Sequence, residues 1–405
     1  MESSSAAQLI QYMGTYMPTP AAPLRLLNCS SLRLPPPAAH FHIPPLQCSF
    51  PSGLLHPHYD LVKKHCDGWI LDVAQPPSAA ACRLLLDCVI PRLICRAIPA
   101  ASSVPRLIHV AKMVSWLTIA DDNDDHPGAL GANDTTSAQH ANSVMTILRC
   151  EEDNKSAPVL GLRALCCPNQ LNGDPNIGLM VDSRVPKYTS CSKSDRKEGA
   201  LEALRKLWAE MRREMTPGLR HRFVSTMEDY LHAIKVQATF RKLHRLPDMQ
   251  AYLEIRRQAS FILPCIALLE YALGIELEEE VYNNPLVEKF RYLALDYIFL
   301  CNDLISCKAE IGVGDYFNMP SIAYNSCSIA NKEWRFQDAI DHVANMIKDL
   351  DGQCVSMLSV IQESSASPSL HHNMSFVNTY IVALCSCMSG CLAWFLETAR
   401  YRNSG

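Results

Sequence analysis

The chain has 405 residues, 48% of them hydrophobic and 19% charged, with a formal net charge of −4. That is a globular composition with ample apolar material for a large core, and so small a net charge gives no sign of nucleic acid or an anionic membrane as partner. The 18 cysteines are scattered without C-x-x-C spacing, which argues against zinc and for a reducing, cytoplasmic compartment.

Residues 1–38 carry Pro, Ala and Ser clusters, among them Pro35-Pro36-Pro37, and read as a mobile N-terminal extension with no secretory signal pattern. Apolar residues at helical spacing begin at Tyr59 and recur over 80–97 and 105–120, punctuated by Pro91, Pro99 and Pro105. Residues 126–198 interrupt this pattern with Gly, Asn, Asp, Ser and Pro clusters, apart from a short helical piece around Ala141 to Leu148. Helical patterning returns at Glu198 and lasts to Ala399, with breaks near Pro217, Pro247, Pro264, Pro285, Pro320 and Pro368. The uncharged run His371 to Leu396 is long enough to cross a bilayer. Asn373, Ser375, Asn378, Ser386 and Ser389 interrupt it, so it reads as a buried bundle helix and no transmembrane span is expected. No strand-like alternation of useful length occurs. The expected fold is all-α, one domain over 39–402 with an atypical insert at about 151–197.

Four motifs carry chemistry. Asn302, Ser306 and Glu310 are four residues apart and fall in a row along one helical face, presenting an amide oxygen, a hydroxyl and a carboxylate. Hard oxygen donors of this mixture suit Mg²⁺, and a polar row continuing so apolar a helix is costly without a ligand. Asp121, Asp122 and Asp125 share a face at a helix C-terminus, where acidic charge opposes the macrodipole and a bound cation would relieve it. Arg256-Arg257 and Arg400-Tyr401 are ordinary when taken alone. Beside two metal-binding faces, they complete a trap for a diphosphate, with cations and guanidinium groups neutralising its oxygens.

These residues resemble a fungal, basidiomycete-type class I terpene synthase of the sesquiterpene cyclase family. Its N-D-x-x-S-x-x-x-E motif is matched by Asn302, Asp303, Ser306 and Glu310, its D-D-x-x-D motif by Asp121, Asp122 and Asp125, and its terminal Arg-Tyr pair by Arg400-Tyr401. Phe41-His42-Ile43-Pro44-Pro45 through His56-Pro57-His58-Tyr59 resembles the family's opening, and the likeness covers about 40–125 and 199–402. The resemblance implies a single-domain helical bundle around a central apolar cavity. It implies three Mg²⁺ ions held by Asp121, Asp125, Asn302, Ser306 and Glu310, and a prenyl diphosphate substrate, farnesyl diphosphate, whose diphosphate meets Arg400, Tyr401 and Arg256, or Arg257 if the register slips by one. The implied reaction is a lyase step: ionisation to an allylic cation, cyclisation and release of diphosphate.

The chain departs from that pattern in three places. Ala309 stands where the family has Lys before the triad's Glu, and Lys308, one step earlier, is turned by about 100°. The run Ala259-Ser260-Phe261 holds no glycine where the family breaks a helix after the sensing arginine. Residues 151–197 match nothing in the family and read either as a surface loop or as translated intron sequence. Two rival functions follow: an inactive or binding-only homologue, suggested by the insert and the missing Lys, and a chain-elongating prenyltransferase, which carries two Asp-rich motifs where this chain has one.

Overall fold

The computed structural model describes residues 33–37, 40–125, 134–150, 193–242, 245–327, 334–363 and 373–402, with side chains described throughout except at 121–125, 134–138, 193–195, 197, 242 and 402. Among the described residues there are fifteen helices and no strand. In chain order they are α1 (Tyr59–Ala74), α2 (Ala79–Asp87), α3 (Ile90–Ala97), α4 (Val104–Asp125), α5 (Asp134–Arg149), α6 (Lys193–Glu214), α7 (Pro217–Lys242), α8 (Met249–Ala259), α9 (Ile262–Leu273), α10 (Glu279–Tyr282), α11 (Pro285–Gly312), α12 (Met319–Cys327), α13 (Phe336–Glu363), α14 (Met374–Glu397) and α15 (Ala399–Arg402).

The bundle is organised about α11. The side chain of Asn284 caps it by accepting the Leu286 N–H at 3.0 Å, and Pro285 occupies its first turn, where a missing N–H is harmless. Every residue from Leu293 to Cys301 is buried, so this stretch is surrounded on all sides, as a helix apolar all round must be. Helices α13 and α14 pack along it, α12 and α8 cover its later turns, and α14 continues onto α3. On the other side of the fold, α4 packs on α1, α3, α6 and α9, while α7 packs on α5, α8 and α9. Helix α13 is amphipathic by contrast. Its buried positions Ala339, Ile340, Val343, Ile347, Leu350, Cys354, Met357 and Ile361 recur every three or four residues.

Helix α14 has the length and apolar composition of a membrane span, yet 67% of its most apolar window is buried inside the bundle. Its contact with α3 is backbone-close. A Cβ on Gly390 would lie 2.8 Å from the amide nitrogen of Ala97 and 2.9 Å from the carbonyl oxygen of Arg96. Cys385 and Cys387 carry free thiols and are core residues of α14.

The segment before α1 forms a belt over α11 and α13. Ser49 donates its N–H and hydroxyl to Asp351, Tyr297 donates to the Gln47 carbonyl at 2.8 Å, and His42 and Gln337 exchange two hydrogen bonds. Most of the expected extension, 1–32 with 38 and 39, lies outside the described residues. Within residues 33–37, Arg33 donates to Asn325, Tyr324 and the Trp334 carbonyl and lies 4.0 Å above the Tyr324 ring. Sequence composition could not reveal this, because a single arginine supplies the contacts. The insert at 151–197 also lies outside the described residues, except that 193–197 form the first turn of α6.

Gly390→Ala should lower stability by about 1–3 kcal/mol, the usual cost of overpacking a close contact, despite alanine's better helix propensity. Urea or thermal unfolding monitored by circular dichroism measures this directly; an unchanged or higher midpoint would mean that the α3–α14 approach is looser than described.

Candidate active site

The polar row of α11 lies in its last three turns. Ser306 Oγ is 2.7 Å from both the Asn302 carbonyl and Glu310 Oε1. A serine has one hydrogen to give, so it serves one of these acceptors at a time. Glu310 Oε2 accepts from Asn318 Nδ2 at 2.8 Å. Burial, with Asp315 and Asp303 close by, pushes the Glu310 carboxyl up to about 8. Asn302 is engaged at both ends of its amide: Nδ2 donates to the Tyr401 hydroxyl at 2.9 Å, and Oδ1 accepts from Arg256 Nη2 at 3.0 Å. The structure thus brings Asn302, Ser306, Glu310, Arg256 and Tyr401 into one connected network.

Asp303, second in the motif, points elsewhere. It is 1% exposed and receives Arg256 Nε at 3.1 Å, the Tyr252 hydroxyl and the Met319 N–H. Burial raises its carboxyl above the ordinary range, and Arg256, Tyr252 and the Met319 amide pull it back. Asp303 therefore fastens α8 and α12 to α11. The neighbouring arginine has a different job. Arg257 makes a bidentate pair with Asp296, Nε–Oδ1 2.8 Å and Nη2–Oδ2 2.7 Å. Of the two arginines left open by spacing, Arg256 lies in the polar network and Arg257 in the framework.

The helix break after Arg256 forms without glycine. Ser260 is extended (φ −81°, ψ 130°) and donates its N–H to the Arg256 carbonyl. Pro264 supplies the reason. In an unbroken helix its ring would strike the Ser260 carbonyl, whereas in the first turn of α9 its missing N–H costs nothing.

Arg400 and Tyr401 sit on α15, which a buried hinge separates from α14. Thr398, fully buried, ends α14 in an extended conformation, and both its hydroxyl and the Trp394 indole N–H reach the Cys88 carbonyl, at 3.3 and 2.7 Å. The Tyr401 ring packs edge-on against Trp394 and beside Phe395. Arg400 is half-buried, with its guanidinium carbon 6.0 Å from the Tyr401 ring.

Asp121, Asp122 and Asp125 occupy the last turn of α4, and their side chains lie outside the described residues. Lys308 faces away from the triad, 5.6 Å over the Phe41 ring of the belt, so it does not replace the lysine absent at Ala309. Among the described residues no group of three His, Cys, Asp or Glu side chains gathers to hold a metal. The mixed row of Asn302, Ser306 and Glu310 has the hard donors and the crowded acidity that fit a divalent cation. Three large aromatic residues are tied by their polar ends to backbone: Trp116 to Ala200, Trp394 to Cys88 and Tyr297 to Gln47. The larger described cavity, about 310 Å³, lies between the belt, α13 and α14 and is lined by Phe50, Leu54, Ile361 and Val382 but by none of the site residues.

The family model "Terpene synthase family 2, C-terminal metal binding" matches residues 178–350, which include the triad and Arg256 and begin inside the tract expected to be an insert. Microbial Terpene synthase-like protein 13 of Selaginella moellendorffii is 26% identical over 366 residues, 90% of this chain and 87% of that protein. Sesquiterpene synthase 1 of Postia placenta is 29% identical over 196 residues, 48% of this chain and 54% of that protein, so the chain spans about half the length of this fungal relative. The chain is thus similar to terpene synthases, through the metal-binding family model over 178–350 and through relatives at 26–29% identity.

Solved structures agree on the fold. An a-eudesmol synthase superimposes with a TM-score of 0.66 at 15% identity, covering 88% of this chain and all (100%) of that one. A wild-type cucumene synthase gives 0.61 at 18% identity, covering 86% and 100%. Sequence patterning gives no functional prominence to four residues that the structure joins to the site: Tyr252, Asp315, Asn318 and Arg241, which donates to Asp315 at 3.1 Å. Only Asn318 carried a local signal, as a capping residue just before Met319-Pro320.

Arg257→Ala should cost about 3–5 kcal/mol by leaving Asp296 buried and unpaired. Replacing both residues by leucine should restore much of that loss, because an apolar pair carries no desolvation penalty. Denaturant unfolding of the single and double variants provides the comparison; a single variant as stable as the parent would remove Arg257 from the framework.

Proposed function

We propose that this protein is a Mg²⁺-dependent sesquiterpene cyclase that ionises farnesyl diphosphate and cyclises the resulting allylic cation. The observation that carries the reading is Asn302, whose amide joins a row of hard oxygen donors to an arginine on one side and a tyrosine on the other. The farnesyl length is supported by relatives named sesquiterpene synthases in Postia placenta and Cyclocybe aegerita. Free cysteines among the described residues are compatible with a cytoplasmic location.

Asn302, Ser306 and Glu310, with Asp121 and Asp125 from α4, are the residues that would hold Mg²⁺, three ions by family resemblance. Bound there, the metal would draw charge from the leaving diphosphate. The chain's own residues do the rest. Arg256 holds Asn302 Oδ1, an atom that would serve as a ligand, so a cation bound there would repel the guanidinium and weaken the Arg256–Asn302 bond. Releasing that bond frees a guanidinium for the diphosphate oxygens while Asp303 keeps its stem in place. Arg400 and Tyr401 would donate further charge-assisted bonds to the same group. The carbon–oxygen bond breaks with its electron pair leaving on diphosphate. Apolar and aromatic walls then shield the cation by excluding water and by cation–π contact until a proton is lost.

Incubation with farnesyl diphosphate and Mg²⁺ should yield volatile sesquiterpenes and free diphosphate, and a chelator should abolish both. Longer prenyl diphosphates formed on adding isopentenyl diphosphate would instead make the protein a chain-elongating transferase, and folded protein releasing no diphosphate would make it a binding-only homologue. Asn302→Ala and Glu310→Ala should each lower turnover by at least about 100-fold, the scale set by removing a preorganised charge-stabilising group, with the helical circular dichroism signal retained. Arg400→Ala should cost about 2–5 kcal/mol in kcat/KM through a lost charge-assisted contact; steady-state kinetics equal to the parent would take Arg400 out of the site.

A further inference from the structure

We infer that Asn318 is a positioning residue for the metal face, holding the Glu310 carboxylate in a preset orientation through the capping turn of α12. The inference rests on the metal role proposed for Glu310 and names a residue outside the Asn-Ser-Glu row. Asn318 is 1% exposed and both ends of its amide are committed. Its Oδ1 accepts the Ser321 N–H at 3.0 Å, as the residue preceding a helix characteristically does. The oxygen must meet that N–H, so the amide cannot turn over, and Nδ2 is left aimed at Glu310 Oε2, 2.8 Å away.

The start of α12 is itself docked to α11. Met319 donates its N–H to Asp303 Oδ2 at 3.2 Å. The connection between the helices turns at Gly314 (φ +81°) and is pinned by Asp315, whose N–H meets the Glu310 carbonyl at 2.9 Å and whose carboxylate accepts Arg241 and the Phe317 N–H. Asn318 is therefore fixed in place before it touches Glu310. A glutamate left alone has three side-chain torsions to order when it binds a cation. Here Asn318 holds one of its oxygens and Ser306 shares its single hydrogen between the other and the Asn302 carbonyl, so Asn318 supplies the constant part of the ordering. Groups of this kind around a metal site typically change affinity about 10–100-fold when removed.

Two replacements separate this role from plain helix capping. Serine and aspartate both cap well; serine is too short to reach Glu310, and aspartate would set a carboxylate against it. The test is a thermal-shift titration of the full chain with Mg²⁺ in the presence of inorganic diphosphate. For Asn318→Ser and Asn318→Asp we expect folded protein with a cooperative melt, lowered by the unpaired Glu310 oxygen and more so for aspartate, and Mg²⁺ midpoints at least about tenfold higher. In turnover assays, excess Mg²⁺ should recover kcat in the serine variant. A Mg²⁺ midpoint in either variant equal to or below the parent's would overturn the inference and reduce Asn318 to a cap. A parent protein that shows no Mg²⁺-dependent shift would overturn the metal reading itself, an outcome distinguishable because it does not depend on the variants.

Discussion

Two consecutive arginines on one helix hold two aspartates on another, and the arrangement of the site depends on that clamp. Asp296 and Asp303 are seven residues apart on α11, two helical turns, and so share a face. Arg257 and Arg256 at the end of α8 reach one each. Both aspartates are buried and both arginines are partly exposed, so losing an arginine would leave a carboxylate in a medium that will not solvate it. Desolvation makes such pairs poor sources of net stability. Their effect here is geometric: they set the end of α8 against the last turns of α11 and orient Arg256 along the polar row. Pro264 completes the arrangement from the far side, since its ring prevents α8 from continuing and directs the chain into α9.

The consequence is a site whose groups are mutually satisfied before any ligand arrives. Asn302 is bonded at both ends, Glu310 at both oxygens, and Asp303 by three donors. Dry polar groups are tolerated only when paired, and this pairing keeps the apolar core around α11 intact. Arg256 spans Asn302 and Asp303, with Nη2 3.0 Å from both Asn302 Oδ1 and Asp303 Oδ1 and Nε on Asp303. Tyr401 arrives from the far end of the chain, carried by a four-residue helix whose start is fixed where Trp394 and Thr398 converge on the Cys88 carbonyl. The site is thus assembled from α8, α11, α12 and α15, with the backbone of the α2–α3 junction as a fixed point.

The helices themselves were legible because their signals are periodic. A row at i, i+4 and i+8 placed Asn302, Ser306 and Glu310 on one face from spacing alone, and the structure links Ser306 to both of the others. Prolines marked boundaries faithfully at Pro217, Pro285 and Pro320, each in the first turn of a helix. The apolar run of α14 reads as a bundle helix through the polar residues it carries, and 67% of its most apolar window is buried inside the bundle. The contacts of Arg33 with Tyr324, Asn325 and Trp334 were not legible, since Pro-rich composition carries no signal for a pairing across the chain.

What the residue order determined alone is therefore one-dimensional: where helices begin and end, which faces they present, and which chemistry the triad can support. Tertiary structure decided every pairing across elements. It sent Arg256 to the site and Arg257 to the framework, turned Asp303 away from the ligand row, and brought Asn318 onto Glu310. The physical reason is that a helix repeats every 3.6 residues and records its own faces in the sequence, whereas which face of another helix lies opposite depends on how the whole core packs.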